Sequence, residues 1–474
     1  MTQDCASKPT WQGTFTNDEL KCSIPFDDGR RLQGHTSAEL FDEISSIIDS
    51  TEVRVRARKH EDQLTRDATI EALLANLLVA AFNRIEPQRF VAMPFSTSTY
   101  SQSGLSVVAM RAARDAMGDM GLLEGVRGFY RPHYMPGQEF ARLTRLRATP
   151  ALREIFQRCR VGRGAAKCSN KQVIRINKTA HGFDFTYPPD VAASADALLS
   201  INRRLASATL ALPDEAWERI GAARNNNPDR EMDKDPYVGD LTAISLYRSF
   251  KTSWKQGGRL YGGWWINLPK TERALITIDG DATTELDFSR LHPTLLFARQ
   301  DLRLNFDPYS VVGLEGDNLR DMGKRTFGRL VNTPKKQKRF RQSPKLPTAN
   351  PSQHKAKPIR LKAKSEDLLA LPLGMTFPTY LNLLLTKLAP ISKWFGSNAG
   401  MTLQREDSDL AISILERLDN AGVIALPVHD SFIVKQSEIA LLHQVMTECF
   451  YKRYSFNPVI KPSVDHKLPG PMVA

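Results

Sequence analysis

Apolar residues recur at helical spacing in two stretches of the N-terminal third, 38–49 and 62–84. In the second stretch, the residues that fall near one face are Leu64, Ile70, Leu73, Leu74, Leu77 and Leu78. Residues 189–225 are rich in alanine and leucine and are also predicted to be helical. We expect the first two helices to have a structural role.

Between 103 and 156 the pattern changes from helix to strand and back to helix. An amphipathic helix precedes two strands, at 122–130 and 140–148, and Thr149-Pro150 then opens a second helix as an N-cap followed by proline. This succession resembles a winged helix whose wing is the hairpin. Alternation would place Arg142, Arg145 and Arg147 on one strand face, where arginines can lie along nucleic-acid phosphates. Solvated arginines of a packing domain are an equally open interpretation.

Beyond residue 240 the sequence pattern changes, and it predicts short strands and glycine-containing turns with aromatic residues among them. Residues 274–278 are predicted to form a strand, Asp279-Gly280-Asp281 a tight turn, and 283–288 the returning strand. Asp287 lies near the end of that strand, just before a predicted helix with proline in its first turn. This carboxylate is therefore expected to be exposed to a ligand.

A second apolar hairpin is predicted over 423–434, with His429, Asp430 and Ser431 at its tip. A charged residue between apolar strands is unfavourable unless it is paired or binds a metal. Two aspartates on neighbouring strands can hold two Mg²⁺ ions, with Mn²⁺ as a possible substitute, for phosphoryl transfer. Arg320 and Lys324 are four residues apart, so they share a helix face and could bind a triphosphate.

The net charge of +13 on the 474 residues is concentrated in one segment. From Lys335 to Lys364 there are eleven Lys and Arg residues and no Asp or Glu, which leaves +2 for the remainder. Such a run indicates a polyanionic partner, with a solvated loop as the alternative. The residues expected to contact a nucleic-acid backbone here are Lys335, Lys336, Lys338, Arg339 and Arg341.

Composition excludes several classes of protein. Apolar residues are 41% and charged residues 25%, unlike a wholly disordered or collagen-like chain. Five cysteines without C-x-x-C spacing argue against a disulfide scaffold and a zinc ribbon. No apolar run approaches the ~20 residues of a membrane helix, and no signal-peptide pattern is seen. We therefore expect a cytoplasmic protein with no membrane partner.

Four segments, in order, resemble the palm and fingers of family A DNA polymerases and the related phage-type single-subunit RNA polymerases, over about 240–460. Asp287-Phe-Ser-Arg-Leu-His is similar to the first catalytic motif, and Arg320-x-x-x-Lys324 to the fingers helix. Val428-His-Asp-Ser is similar to the third motif, in the form of the RNA enzymes. Gly258-Arg259-Leu, followed by Asn267-Leu-Pro, resembles the segment that touches the primer–template duplex.

The resemblance implies a role for each matching residue. Asp287 and Asp430 would be the catalytic metal ligands, and Arg320 and Lys324 would bind the triphosphate. The residues implied to contact primer or template are Arg259, Gln404 and His429, where Gln404 and Asp409 resemble a helix on the template side. The residues implied to line the sugar pocket are His292 and Asn332, which replace the glutamate and the Tyr-Gly of the DNA enzymes.

The predicted fold class is α+β. A polar arm (1–35) precedes a helical and winged-helix-like domain (36–160), and 161–240 form a basic helical linker or reduced thumb. Residues 241–474 form a polymerase palm with an antiparallel sheet, into which helical fingers are inserted at about 300–400, with a basic loop at 334–364.

The predicted function is metal-dependent extension of a nucleic-acid 3′ end from nucleoside triphosphates. Template-directed DNA synthesis is favoured, because the first motif follows the DNA pattern more closely. Three alternatives stay open: a phage-type RNA polymerase or primer-synthesising enzyme, a template-independent terminal transferase, and a non-catalytic nucleic-acid-binding replication initiator. Protein partners and biological setting are left open.

Overall fold

The structure is a computed structural model. It describes residues 9–21, 23–52, 56–85, 87–96, 100, 103–130, 141–168, 172–177, 183–225, 239–311, 313–314, 316–333 and 361–463. The α-helices, numbered in chain order, are α1 Asn17–Lys21, α2 His35–Thr51, α3 His60–Ala81, α4 Val107–Asp119, α5 Pro150–Arg158, α6 Pro189–Ser207, α7 Asp214–Asn225, α8 Lys270–Arg273, α9 Leu291–Ala298, α10 Asp317–Asn332, α11 Ser365–Ala370, α12 Phe377–Lys387, α13 Gly400–Asn420 and α14 Ile439–Tyr454.

Short strands alternate with these helices along the whole chain. They are β1 Ile24–Pro25, β2 Arg30–Leu32, β3 Val91–Met93, β4 Leu123–Val126, β5 Phe129–Tyr130, β6 Ala141–Arg142, β7 Thr144–Ala148, β8 Ala166–Cys168, β9 Ile174–Asn177, β10 Leu210–Ala211, β11 Tyr247–Lys251, β12 Ser253–Tyr261, β13 Thr277–Ile278, β14 Asp281–Phe288, β15 Leu426–Val428, β16 Ser431–Lys435 and β17 Ile460–Pro462. This mixture of helix and sheet is compatible with the α+β class. No helix in the described part of the chain has both the length and the apolar composition to cross a membrane.

The chain divides into two compact units built from interleaved segments. The first unit takes its described residues from 1–173, 199–247 and 261–283, and the second from 174–198, 248–260 and 284–474. The sequence-predicted domain limits, by contrast, are continuous stretches, because a change in composition does not reveal which distant segments fold together.

Helix α3 lies at the centre of the first unit. Every residue from Ala72 to Ala81 is buried, so the helix is covered on all sides, and α2, α4 and β7 pack against it. The predicted helices over 38–49 and 62–84 are confirmed as α2 and α3. Trp264 and Trp265 are fully buried core residues of the same unit.

The region predicted to be a winged helix contains the expected elements in the expected order. The side chain of Thr149 caps α5 by accepting a hydrogen bond from the Leu152 backbone N–H, with Pro150 at the first helical position. The two predicted strands pair as expected, because β4 is antiparallel to β7 and β5 is antiparallel to β6. Strand β7 also pairs with β3, in a four-stranded sheet of order β1-β3-β7-β4. The hairpin is thus confirmed, and its role as the wing of a winged helix stays a prediction.

Two arginines of the predicted nucleic-acid face are placed differently from expectation. Arg145 is buried, and its guanidinium donates to the backbone oxygens of Leu20 and Leu143. Arg147 donates to Glu124 Oε1 at 2.6 Å. Helix α1 supplies a partner for each side chain, Leu20 for Arg145 and Glu19 for Arg147, so these arginines do not form the expected free face.

In the second unit, β14 lies beside β16, and β16 pairs with β15 as an antiparallel hairpin. Strand β17 pairs antiparallel with β14, with Asp287 opposite Lys461. Helices α9, α10 and α14 each pack against α13. A second, three-stranded sheet has the order β12-β11-β9, in which β9 and β11 are parallel.

Candidate active site

The two predicted hairpins form, but each turn contains two residues rather than the predicted three, because Asp281 and Ser431 belong to the returning strands. Asp279 and Gly280 connect β13 to β14, and both have positive φ, as a type I′ turn requires. In the second hairpin Val428 is paired with Ser431, which leaves His429 and Asp430 as the turn. His429 has a φ of 60°, a left-handed conformation that non-glycine residues adopt rarely. The tip that carries Asp430 is therefore held in an unusual backbone geometry.

The structure brings the two predicted metal-binding aspartates to neighbouring backbone positions. The N–H of Phe288, the residue after Asp287, donates to the backbone oxygen of Asp430 at 3.4 Å. One residue further, the Ser431 hydroxyl donates to Glu285 Oε1 at 2.5 Å. Because Glu285 and Asp287 are two residues apart in β14, they share a strand face. The end of β14 and the tip of the second hairpin thus form one edge with several carboxylates.

A third aspartate, which was not predicted from the sequence, binds two basic side chains at this site. Asp407, in α13, is only 1% exposed, and its Oδ2 accepts a hydrogen bond from Arg259 Nη2 at 2.6 Å. The same oxygen lies 2.7 Å from His292 Nε2. The sequence does contain a signal for Asp407. It follows the predicted site residue Gln404 by three residues, so the two share a helix face. Arg259 and His292 are therefore engaged with this carboxylate.

Asp430 lies near Asp407, Arg259 and His292, and among the described residues it forms no ion pair of its own. Although the residue keeps some exposed surface, protein atoms surround its carboxyl group. Burial raises the pKa of Asp430, and the negative charge of Asp407 raises it further, whereas Arg259 and His292 lower it. Burial and the Asp407 charge outweigh the two basic side chains, so the pKa stays above its ordinary value. A cation placed here would therefore be attracted by an incompletely compensated carboxylate.

Arg320 and Lys324 share one face of α10, as the sequence predicts. Arg320 Nε donates to Asp307 Oδ2 at 2.6 Å, and its guanidinium lies 5.5 Å from the centre of the Tyr309 ring. Lys324 is exposed, and among the described residues it has no hydrogen-bond or ion-pair partner. Burial raises the pKa of Tyr309, and the charge of Asp430 raises it further. Tyr309 thus lies within electrostatic range of Asp430 and in contact with Arg320.

Strand β12, which carries Arg259, is fixed by a buried arginine. Arg248 Nε donates to the Gly258 backbone oxygen at 2.9 Å, and its Nη2 donates to Asp409 Oδ1 at 2.9 Å. Burial lowers the pKa of Arg248 to about 10. Gly258 has a φ of 85°, and a Cβ there would lie 3.0 Å from Arg248 Nη2. This position therefore favours glycine, and Asp409 is bound to arginine within the protein.

The remaining predicted site residues are Gln404, Asn332 and the basic residues after α10. Gln404 is half-buried on α13. Asn332 lies at the end of α10, where its Nδ2 donates to the Gly328 backbone oxygen at 2.8 Å, and a Cβ at Gly400 would lie 1.6 Å from its Oδ1. The basic residues that lie outside the described part of the chain are Lys335, Lys336, Lys338, Arg339 and Arg341.

The donor chemistry of this edge fits magnesium. No group of three or more His, Cys, Asp or Glu side chains suited to a metal ion is found among the described residues. Mg²⁺, however, is commonly held by one or two carboxylates together with substrate phosphates and water. Asp287 and Asp430 supply hard carboxylate oxygens of that kind, and a divalent cation would offset the burial and the nearby Asp407 charge that raise the pKa of Asp430.

Comparisons with known proteins give little beyond this geometry. No protein-family model matches the sequence. No curated protein matches it either. Among solved structures, the chain is similar to the polymerase domain of Pol1 from M. smegmatis in complex with DNA primer–template and dNTP. The similarity has 11% sequence identity and a TM-score of 0.29, and it covers 94% of this chain and 67% of that one. A likeness at this level does not establish a shared fold or activity.

Proposed function

We propose that this chain is a metal-dependent nucleotidyltransferase that extends a nucleic-acid 3′ end from nucleoside triphosphates, by template-directed DNA synthesis. The observation that carries the proposal is the adjacency of Asp287 and Asp430, whose strands meet through the bond from the Phe288 N–H to the Asp430 oxygen. Two carboxylates at such an edge would hold Mg²⁺, which when bound supplies charge stabilisation for in-line phosphoryl displacement.

The side chains around the aspartates suit the other parts of this reaction. Lys324 is exposed on the same helix face as Arg320, and two cations there would neutralise the charge on a leaving pyrophosphate. Asp307 holds the Arg320 guanidinium in a fixed direction through its Nε, which leaves the terminal nitrogens for a phosphate. The chain's own contribution is thus to position the triphosphate relative to the two carboxylates.

His292 is the residue that would contact the sugar. Asp407 fixes its imidazole through Nε2, so the ring is held in one orientation. Arg259 bonds to the same carboxylate from β12, the strand that would approach the primer–template duplex. Asp407 is therefore a positioning residue in this proposal, because it acts on sugar and duplex through its two partners.

Primer extension with Mg²⁺ tests the proposal. A labelled primer–template and a matched single strand are each incubated with dNTPs or NTPs, using wild type, Asp430→Asn and Asp42→Asn. Asp42 is an exposed aspartate on α2 and serves as the matched control. We expect extension of the templated primer by dNTPs with wild type and Asp42→Asn, and at least a hundredfold loss with Asp430→Asn.

Other outcomes of this experiment would indicate one of the alternative functions. Use of NTPs alone would indicate an RNA polymerase or primer-synthesising enzyme, and homopolymer on the single strand would indicate a terminal transferase. Tight duplex binding that survives Asp430→Asn, with no synthesis in any reaction, would contradict the proposal and indicate a non-catalytic nucleic-acid-binding protein.

A further inference from the structure

Among the residues that the structure describes, His292 uses only one of its two ring nitrogens in hydrogen bonding. Nε2 lies 2.7 Å from Asp407 Oδ2 and 3.4 Å from Arg259 Nη2, whereas Nδ1 has no partner. The side chain is 23% exposed, so a ligand has access to part of the ring. Nδ1 is thus a polar atom that the described part of the fold does not use.

The partner of Nε2 determines which ring nitrogen carries the hydrogen. Arg259 Nη2 donates to Asp407 Oδ2 at 2.6 Å, so this oxygen is an acceptor with no hydrogen of its own. Its contact with His292 therefore requires the hydrogen on Nε2. The nearby guanidinium also disfavours a second positive charge on the ring. The neutral imidazole consequently has its free lone pair on Nδ1, which is a hydrogen-bond acceptor.

This acceptor lies close to the two proposed metal ligands. His292 is in the first turn of α9, five residues after Asp287, and it is near enough to Asp430 to affect the pKa of that carboxyl group. All these residues belong to the second compact unit. A nucleoside triphosphate bound through metal ions at the two carboxylates carries its sugar next to its phosphates. The sugar is therefore the part of the nucleotide that His292 would contact.

Only some groups of a nucleotide can bind to a lone pair. Ionised phosphate oxygens are acceptors and carry negative charge, so they offer no hydrogen to Nδ1. Sugar hydroxyls are donors. A ribose has a 2′-hydroxyl that a deoxyribose lacks, and this group is what distinguishes RNA from DNA at a protein site. An acceptor held in a fixed direction beside the sugar would stabilise a bound ribose through that hydroxyl.

We propose that His292 Nδ1 accepts a hydrogen bond from the 2′-hydroxyl of the incoming nucleotide, so that ribonucleotides are added about as readily as deoxyribonucleotides. This inference rests on the proposed function and specifies the class of its substrate. His292 is the residue that contacts the sugar. Asp407 is a positioning residue, because its carboxylate keeps the hydrogen on Nε2 and the lone pair on Nδ1.

Addition of one nucleotide opposite a template thymine tests this contact on the full chain. The substrates are dATP, ATP and 2′-fluoro-2′-deoxyATP, in which fluorine replaces the hydroxyl and has no hydrogen to donate. The readout is kcat/KM for ATP divided by kcat/KM for dATP. A ratio of this kind is insensitive to a general loss of folded protein, because both substrates are affected equally.

Two substitutions of His292 separate the two ring nitrogens. In His292→Gln the amide nitrogen can take the place of Nε2 and still donate to Asp407, but no acceptor remains at the Nδ1 position. In His292→Asn the amide oxygen can take the place of Nδ1, while the hydrogen bond to Asp407 is lost. The matched control is His443→Gln, an exposed histidine on α14.

We expect wild type to use ATP and dATP within about tenfold of each other, and 2′-fluoro-2′-deoxyATP about fivefold less well than ATP. The ratio of ATP to dATP should fall about fivefold in His292→Gln, and it should stay within about twofold of wild type in His292→Asn and His443→Gln. A purely structural role for His292 predicts the opposite order, since only His292→Gln keeps the bond to Asp407.

Equilibrium binding separates this inference from the proposed synthesis. The probes are the α,β-methylene forms of ATP and dATP, which cannot react, and they are titrated into the same variants with Mg²⁺. Binding that favours the ribose form and loses this preference in His292→Gln would support the contact even if no primer were extended. Addition of ATP alone would also support it, and would contradict the preference for DNA synthesis.

Three results would overturn the inference. The first is a wild-type preference for dATP over ATP of more than a hundredfold. The second is an unchanged ratio in His292→Gln, or equal use of ATP and its 2′-fluoro analogue by wild type. The third is the absence of both addition and analogue binding, which would overturn the proposed function as well.

Discussion

At the scale of single residues, Asp407 organises the candidate active site. Its nearly fully buried carboxylate is shared by Arg259 and His292, and its charge also raises the pKa of Asp430. A buried carboxylate is tolerated only while its cationic partners remain. The ion pair with Arg259 is therefore structural as well as functional in this account.

Arg259→Ala should consequently destabilise the protein. Loss of this guanidinium leaves the buried charge of Asp407 with His292 alone, and we expect the free energy of unfolding to fall by about 2–4 kcal/mol. Urea denaturation measures the change.

Arg417→Ala is the matched control, because Arg417 and Glu448 form an ion pair in which both side chains are more than 40% exposed. Exposed pairs contribute little, so this variant should unfold nearly as wild type does. An equal loss in the two variants would contradict the buried role of Asp407.

We expect the free energy of unfolding to depend on pH through Asp430. Because its pKa is raised in the folded state, the folded protein binds this proton more tightly than the unfolded chain, whose aspartates titrate near about 4. The free energy of unfolding should therefore fall as pH rises from about 4 through the raised pKa. Asp430→Asn removes this contribution and should raise stability at neutral pH by on the order of 1 kcal/mol.

Urea unfolding at about pH 5 and about pH 8 checks this dependence. Wild type should lose more stability between the two values than Asp430→Asn does. Added Mg²⁺ should stabilise wild type at the higher pH and have little effect on the variant, because ligands stabilise only the state that binds them. If Asp430→Asn were less stable than wild type at neutral pH, that result would contradict a destabilising effect of the Asp430 carboxylate.

At the scale of secondary-structure elements, a glycine allows α10 to pack closely against the segment that contains Tyr309. A Cβ on Gly323 would lie 1.9 Å from the Tyr309 backbone oxygen, so a side chain at this position would clash with that segment. Gly328, five residues further along the same helix, has open space around its Cβ position. The first glycine is required by packing, and the second is not.

This contrast predicts opposite effects of one substitution. Gly323→Ala should destabilise by about 1–3 kcal/mol, because the added methyl group forces backbone atoms apart. Gly328→Ala should stabilise by about 0.5–1 kcal/mol, because alanine is the better helix former. Both are measured by chemical denaturation, and similar signs in the two variants would show that α10 is not held against Tyr309 in this way.

Elements set by local chemistry could be predicted from the sequence, whereas pairings over long distances could not. Asp279-Gly280 and Thr149-Pro150 carry their turn and cap within a few residues, and both form as expected. Asp407 escaped notice because its partners His292 and Arg259 lie 115 and 148 residues away. The burial of Arg145 could not be predicted for the same reason, since Leu20, whose backbone oxygen accepts from its guanidinium, lies 125 residues earlier.

At the scale of the whole molecule, the sequence combines a nearly neutral body with one basic run at 335–364. Replacing Lys335, Lys336 and Lys338 by glutamine should weaken nucleic-acid binding at low salt. Each lost phosphate contact should reduce the slope of log affinity against log salt by about 0.7 on single strands. Fluorescence anisotropy of a labelled oligonucleotide at several salt concentrations measures both quantities, and an unchanged slope would show that these lysines do not contact phosphates.

The central claim is that Asp430 contacts a divalent cation during nucleotide addition. The most direct measurement is single-nucleotide addition by Asp430→Cys in Mg²⁺ and in Mg²⁺ supplemented with Cd²⁺, with Asp42→Cys as the control. A thiolate is a poor ligand for Mg²⁺ and a good one for soft cations. We expect Asp430→Cys to be inactive in Mg²⁺ and to regain addition with Cd²⁺, while Asp42→Cys behaves as wild type. Full activity of Asp430→Cys in Mg²⁺ alone would contradict it.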